Sequence, residues 1–207
     1  MQSATDYSVS SDYPDIINLI ISSIMITPKV DDSRIVFGPC RLSYVHVFEK
    51  WVPEGEKEGK YSVTILIPKS EKQTLKAINE AIENAKKKAV AAKWDGKEPK
   101  KLDIALKDGD EKEDENFAGH WYINAKSNTR PGIIDRHKAP ITDEEEMYSG
   151  VWAYCSVAFF GYKVSGNAGV AAGLNNLMKF KDDDHFGGKQ SADSDFSDID
   201  SEDDDDL

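Results

Sequence analysis

Cysteine is scarce in this sequence. Two are present, Cys40 and Cys155, each inside a strand-like apolar run, with no C-x-x-C spacing and only four scattered histidines. That excludes a zinc-ribbon framework and a disulfide-stapled scaffold, and the pair reads as two reduced thiols in a core. Long hydrophobic runs are lacking too. The stretch Ile16-Ile17-Asn18-Leu19-Ile20-Ile21 is too short to span a bilayer. No Lys or Arg precedes it, so it has no signal-peptide n-region. A membrane role is not expected. Residues 1–25 read as a disordered N-terminal extension, and Met25, directly before the start of the domain, is a candidate start codon.

Catalytic signatures are missing as well. The glycines of 161–173 are not followed by Lys-Ser or Lys-Thr at P-loop spacing, and there is no G-x-S-x-G elbow. The acidic stretches 108–115 and 143–146 are the remaining places for a divalent ion, and a metal-dependent nuclease is the reading they would support. Solvated loop charge explains them more simply. The expectation is a non-enzymatic protein that needs no metal or cofactor.

An excess of basic residues is the last absence, and here the average misleads. The whole chain carries −12. Residues 182–207 hold twelve Asp and Glu against one Lys, and residues 1–25 add three Asp, which leaves +2 for residues 26–181. The chain divides into an extension (1–25), a near-neutral body (26–181) and an acidic tail (182–207). The tail's low hydrophobicity and high charge keep such a segment unfolded.

Strands dominate what is present in the body. Residues 34–50 are rich in β-branched and aromatic residues and read as one long strand, bent or bulged at Gly38-Pro39. After the polar turn 53–60, Tyr61, Val63, Ile65 and Ile67 alternate with polar Ser62 and Thr64, the period of a half-buried strand. Ser70 and Gln73 form a capping-box pattern. Leu75, Ile78, Ile82, Ala85 and Ala89 then predict a helix over about 71–93, with Lys86-Lys87-Lys88 on its solvated face. Residues 95–116 read as a long surface loop. Residues 121–126 read as a strand, 127–132 as a turn, 133–135 as a short returning strand and 143–146 as an acidic loop. Val151–Tyr162 alternates most clearly: its even positions carry Trp152, Tyr154, Phe160 and Tyr162. A segment with Gly166, Gly169 and Gly173 follows, then Leu174–Phe180. The order strand, strand, helix, strand, strand, strand suits a mainly β protein, an OB-fold-like small barrel with elaborated loops.

Sequence-tolerant binding of a nucleic-acid strand needs aromatic faces and cations side by side. Candidate binding residues are Arg41, Tyr44, Phe48, Lys50 and Trp51 on or next to the first strand. Tyr122 and Lys126 lie on the third, with Arg130 in the turn after it. Tyr154, Phe160, Tyr162 and Lys163 belong to the last alternating strand. Aromatics make up only 10% of the chain, an ordinary share, so each of these also has a plain core reading. In the tail, Phe196, Ile199, Asp203, Asp204, Asp205, Asp206 and Leu207 form an apolar-and-acidic candidate for competing with nucleic acid or docking a basic partner. An interaction protein whose tail mimics nucleic acid is the alternative from another class.

The stretches RLSYVHVFEKW, YSVTILIPKS, GHWYINAKSNTRPGIID, YSGVWAYCSVAFFGY and GNAGVAAGLNNLMKFKDD resemble the single-stranded DNA-binding proteins of tailed bacteriophages, formerly a domain of unknown function, over about residues 34–190. The resemblance implies an OB-fold core and duty in phage DNA replication or recombination in the cytoplasm of the bacterial host. It also implies an acidic C-terminal tail that contacts replication or recombination proteins. Several such tails end in an aromatic residue, whereas this chain ends in Leu207.

Overall fold

The computed structural model describes residues 26–187. Its strands are β1 (Lys29–Asp31), β2 (Arg34–Trp51), β3 (Lys60–Pro68), β4 (Asp103–Ile104), β5 (Leu106–Asp108), β6 (His120–Ser127), β7 (Gly132–Ile134), β8 (Trp152–Val164) and β9 (Asn167–Lys181). Helix α1 spans Lys72–Ala92. Three short 3-10 turns begin after Asp108, Asp114 and Asp143, each of which accepts the backbone N–H two residues on.

Five strands close into a barrel in the order β2, β3, β6, β9, β8 and back to β2. Neighbours pair antiparallel except β6 and β9, which run parallel with Ala125 opposite Ala172. β1, β4, β5 and β7 extend the wall at its edges. The mainly β, OB-like barrel with a single helix is thus the architecture that the sequence pattern suits.

The alternation in β8 settles which of its faces looks inward. Val151, Ala153, Cys155, Val157 and Phe159 are all buried, so the odd side fills the barrel and the aromatic even side faces out. Cys40 and Cys155 are both buried and unpaired, and burial pushes both thiols up. Helix α1 lays Leu75, Ile78, Ala81, Ile82, Ala85 and Ala89 on this core, chiefly against β8. The approach is close enough that a side chain at Gly161 would collide with Ala89. Trp94, just past the helix, is buried and donates its indole N–H to the Tyr162 carbonyl at 3.0 Å.

Several local expectations change. Ser70 does not cap α1. The cap position is Glu71 without a side-chain bond, because a tight turn engages the backbone first, with Glu71 N–H on Pro68 O and Lys72 N–H on Ser70 O. β3 is not half-buried. Val63, Ile65 and Ile67 face the barrel, while Leu66 is covered on the other side by Phe117 and Tyr122 in a second small core. The 95–116 loop contains β4 and β5. The glycine-rich segment and Leu174–Phe180 are one continuous strand, β9, the strand that closes the barrel. The expected bulge at Gly38-Pro39 is present as a register shift between Phe37 and Cys40 against β8.

Residues 182–187 pack on the body. Arg41 donates to the carbonyls of Gly150 (2.9 Å) and Asp184 (2.6 Å), and its guanidinium lies over the ring of Phe186 at 4.4 Å. Trp152 donates to Asp183 Oδ2 at 2.6 Å, Tyr148 donates to Asp182, and His185 stacks on Tyr148. The N-terminal extension and residues 188–207, with Phe196, Ile199, Asp203, Asp204, Asp205, Asp206 and Leu207, lie outside the described residues.

Candidate nucleic-acid interface

The outer faces of β3 and β6 are polar, and their register brings the polar residues together. Ser62 pairs with Lys126 and Thr64 with Asn124. The Thr64 hydroxyl donates to Asn124 Oδ1 at 2.7 Å, which holds the exposed amide in place. Three adjoining depressions meet on this surface, and Lys126 lines all of them. Together they form one groove across the barrel.

At one end of the groove stand Tyr44, His46, Trp51 and Lys112. Tyr44 has a left-handed backbone (φ 47°) beside a register shift in β2, and the residue is 54% exposed. Trp51, 48% exposed, stacks on His46 with ring centroids 5.7 Å apart. Burial holds the His46 imidazole below its ordinary value. Lys60 lies beyond Trp51. At the other end Phe160, 51% exposed, and Tyr162 stand over Ala105, Val170 and Ala171, with Lys107 alongside. Small residues on β9 make this floor. A side chain at Gly169 would strike the Asp103 carbonyl and the Tyr162 ring, and the Tyr162 hydroxyl donates to Asp103 Oδ2 at 3.1 Å.

The cations of the groove differ in their company. Lys107 is paired with Asp103 at 3.2 Å. Among the described residues, Lys60, Lys112 and Lys126 have no carboxylate within ion-pair distance. Three lysines without acidic partners and three half-exposed rings, Tyr44, Trp51 and Phe160, thus share one concave surface. Such a surface can stack bases and neutralise phosphates.

Of the residues singled out from the sequence, Tyr44, Trp51, Lys126, Phe160 and Tyr162 meet in this groove. The others do not. Two register shifts in β2, between Ser43 and His46 and between His46 and Trp51, break the alternation on which Phe48 and Lys50 were placed beside Tyr44. Phe48 instead packs against the core under Arg130, 4.9 Å away, and Lys50 lies over Tyr61. Tyr122 is buried edge-on against Phe117 in the second core. Arg41 is spent on the 182–187 segment. Tyr154 packs edge-on against Phe180 at the far end of β8, and Lys163 pairs with Asp95 at 2.6 Å.

His46, Lys60, Ser62, Lys107, Lys112 and Asn124 were not singled out. The polar half of the β3 alternation was the signal available for Lys60 and Ser62. The acidic stretches turn out to hold the chain. Asp108 and Asp110 both pair with Lys69, and Asp108, Asp114 and Asp143 cap turns. Among the described residues, no group of three or more His, Cys, Asp or Glu stands close enough together to hold a metal ion.

Residues 33–207 match a family model described as Enterobacter phage Enc34, ssDNA-binding protein. Protein p50 of Acyrthosiphon pisum secondary endosymbiont phage 1 is 32% identical over 177 residues, covering 80% of this chain and 94% of that protein. The single-stranded DNA-binding protein of bacteriophage Enc34, solved with ssDNA, superposes with a TM-score of 0.67 at 26% identity. That match covers 79% of this chain and 99% of the other. The gp2.5 single-stranded DNA-binding protein of bacteriophage T7 shares the fold at a TM-score of 0.55 and 15% identity, covering 85% of this chain and 97% of its own.

Proposed function

Because the chain belongs to the Enc34 phage single-stranded DNA-binding protein family, we propose that it binds single-stranded DNA along the β3–β6 groove and performs no catalysis. The observation that carries the proposal is the sharing of one groove by exposed Tyr44, Trp51 and Phe160 with Lys60, Lys112 and Lys126. Bases stack on the rings, and every base has a π-face, so sequence preference is weak. The lysines take phosphates and release counterions. Affinity therefore falls with salt, with a slope of about 0.7 per phosphate neutralised on a single strand. A single OB fold covers about 4–16 nucleotides.

The setting is phage DNA replication or recombination in the host cytoplasm. The acidic residues of 188–207, tethered to the body, compete with DNA for the groove and, once displaced, recruit replication or recombination proteins. Phe196, Ile199 and Leu207 are the apolar anchors of that contact, with Asp203, Asp204, Asp205 and Asp206 supplying charge.

Fluorescence titration with oligo-dT and with duplex of equal length tests the reading. Tight, salt-sensitive binding to the single strand is expected, and equal affinity for duplex would overturn the stacking mechanism. A chain ending at Gly187 should bind oligo-dT more tightly than the full chain. Unchanged affinity would reduce the tail to a solubilising appendage. The cut belongs after 187 because Asp183, Asp184 and Phe186 are packed on Arg41 and Trp152.

A further inference from the structure

Lys112 is carried to the Tyr44 end of the groove by a loop whose own sequence is acidic. Residues 109–119 join β5 to β6 and hold Asp110, Glu111, Glu113, Asp114 and Glu115 around this one lysine. The Lys112 ammonium nevertheless avoids those carboxylates. It lies over three rings, Phe117 at 4.8 Å, Tyr122 at 5.2 Å and Tyr44 at 6.0 Å. The path of the loop keeps this ammonium on the rings.

That path is set by Lys69, at the exit of β3. Its ammonium contacts Asp108 Oδ1 at 2.5 Å and Asp110 Oδ2 at 2.6 Å. Asp110 Oδ1 accepts the Gly119 N–H at 2.7 Å, and the Lys69 N–H donates to the Gly119 carbonyl at 2.9 Å. One cluster therefore ties the loop's first residues to its last and both to β3. Asp108 also accepts the Asp110 N–H, and the Lys112 N–H reaches the Gly109 carbonyl at 3.0 Å. A side chain at Gly109 would strike the carbonyls of Phe117 and His120, so the turn has little room to shift. Asp108 at the end of β5 and Asp110 in the loop are thereby engaged by Lys69, and the turn aims Lys112 at the rings.

We propose that Lys69, Asp108 and Asp110 are positioning residues that hold Lys112 at the Tyr44 end of the groove, where Lys112 takes a phosphate of the bound strand. The proposal rests on the groove being the DNA site. It gives the electronegative 108–115 stretch a part in binding an anion: Asp108 and Asp110 are held on Lys69 and Asp114 caps a turn, while Glu111, Glu113 and Glu115 are exposed and leave the stretch's single cation unpaired. Lys69 itself does not line the groove.

Salt-dependent titration of the full chain with oligo-dT tests this. Lys112→Ala should lower the slope of log K against log salt by about 0.7, one phosphate on a single strand. Lys69→Met should lower it by a similar amount, and Lys69→Arg, which can bridge the same two carboxylates, should restore it. In a Lys112→Ala background, Lys69→Met should cost nothing more, the non-additivity expected of two groups acting through one contact. Asp110→Asn, which keeps an acceptor for the Gly119 N–H, gives a second route to the same loss if Lys69→Met fails to fold. An unchanged slope in Lys112→Ala overturns the phosphate contact. Additive losses in the double variant overturn the positioning role, because Lys69 would then touch DNA itself. Absence of any oligo-dT binding by the unaltered chain would instead overturn the groove reading and carry this proposal with it.

Discussion

Two surfaces of this barrel are built from the same ingredients and differ in how their charges are met. Around Arg41, the rings of Trp152 and Phe186 flank a cation, and in the groove Tyr44, Trp51 and Phe160 share a surface with lysines. Asp182 and Asp183 make the difference. In the first cluster Asp183 meets Arg41 and Trp152, and Asp182 meets Tyr148 and Lys179, so its charges and donors are answered from within. In the groove, Lys60, Lys112 and Lys126 have no carboxylate within ion-pair distance among the described residues. Aromatic residues beside cations therefore do not identify a binding surface. The whereabouts of the nearest carboxylate tells the two clusters apart.

Four measurements would break or sharpen that contrast. The largest effect is expected from Trp51→Ala or Phe160→Ala, each costing about 1–3 kcal/mol of single-strand affinity, the usual loss per stacked base, with thermal stability unchanged. Arg41→Ala should behave in reverse. It strands the Gly150 and Asp184 carbonyls and should lower unfolding free energy by about 1–2 kcal/mol in a denaturant titration, with oligo-dT affinity near that of the unaltered chain. A DNA defect in Arg41→Ala as large as that of Trp51→Ala would dissolve the distinction. Lys126→Ala should reduce the salt slope by about 0.7, whereas Lys163→Ala, whose charge is already met by Asp95, should leave it unchanged.

The smallest effect concerns His46. Burial keeps its imidazole neutral to a lower pH than in the unfolded chain. Its protonation adds a cation beside Trp51, so oligo-dT affinity should rise as pH falls from about 7 to about 5, and less so in His46→Gln. Stability moves the other way. The unfolded chain takes up this proton first, so the His46 contribution is present above about pH 6.5 and is lost as pH falls through the lower folded value.

The contrast also marks what sequence alone could resolve. The period-2 text of β8 and the helical spacing of Leu75, Ile78, Ile82, Ala85 and Ala89 were plain, because in those elements burial follows the regular period. β2 was legible as a strand but not as a surface. The left-handed Tyr44 and two register shifts rotate Phe48 and Lys50 away from the face that parity assigns them. β9 was harder still. Its Gly169, Ala171 and Gly173 carry little strand propensity, and Gly169 is small to make room for Tyr162 and the Asp103 carbonyl, neighbours that exist only in the folded barrel. Of the groove, the aromatics were nominated one by one, but their company was not, since carboxylate partners such as Asp95 for Lys163 come from remote segments. Lys112 was hidden inside an acidic stretch that reads as solvated loop.

The position of β9 sets an order of events during synthesis. It pairs with β4, β6, β7 and β8, all of which precede it in the chain, and it alone joins β6 to β8. Until the ribosome has released it, β2, β3, β6 and β8 form at best an open sheet with unprotected edges, the kind of intermediate that associates with its neighbours. Its strand pairings reach back as far as Asp103 and its packing contacts to β3, so closure requires long loops and slows folding for a domain of this size. The groove floor is made when the ring shuts, which, on the proposed function, couples the ability to hold DNA to completion of the barrel. A nascent or truncated chain lacking β9 would be aggregation-prone before it was ever competent to bind.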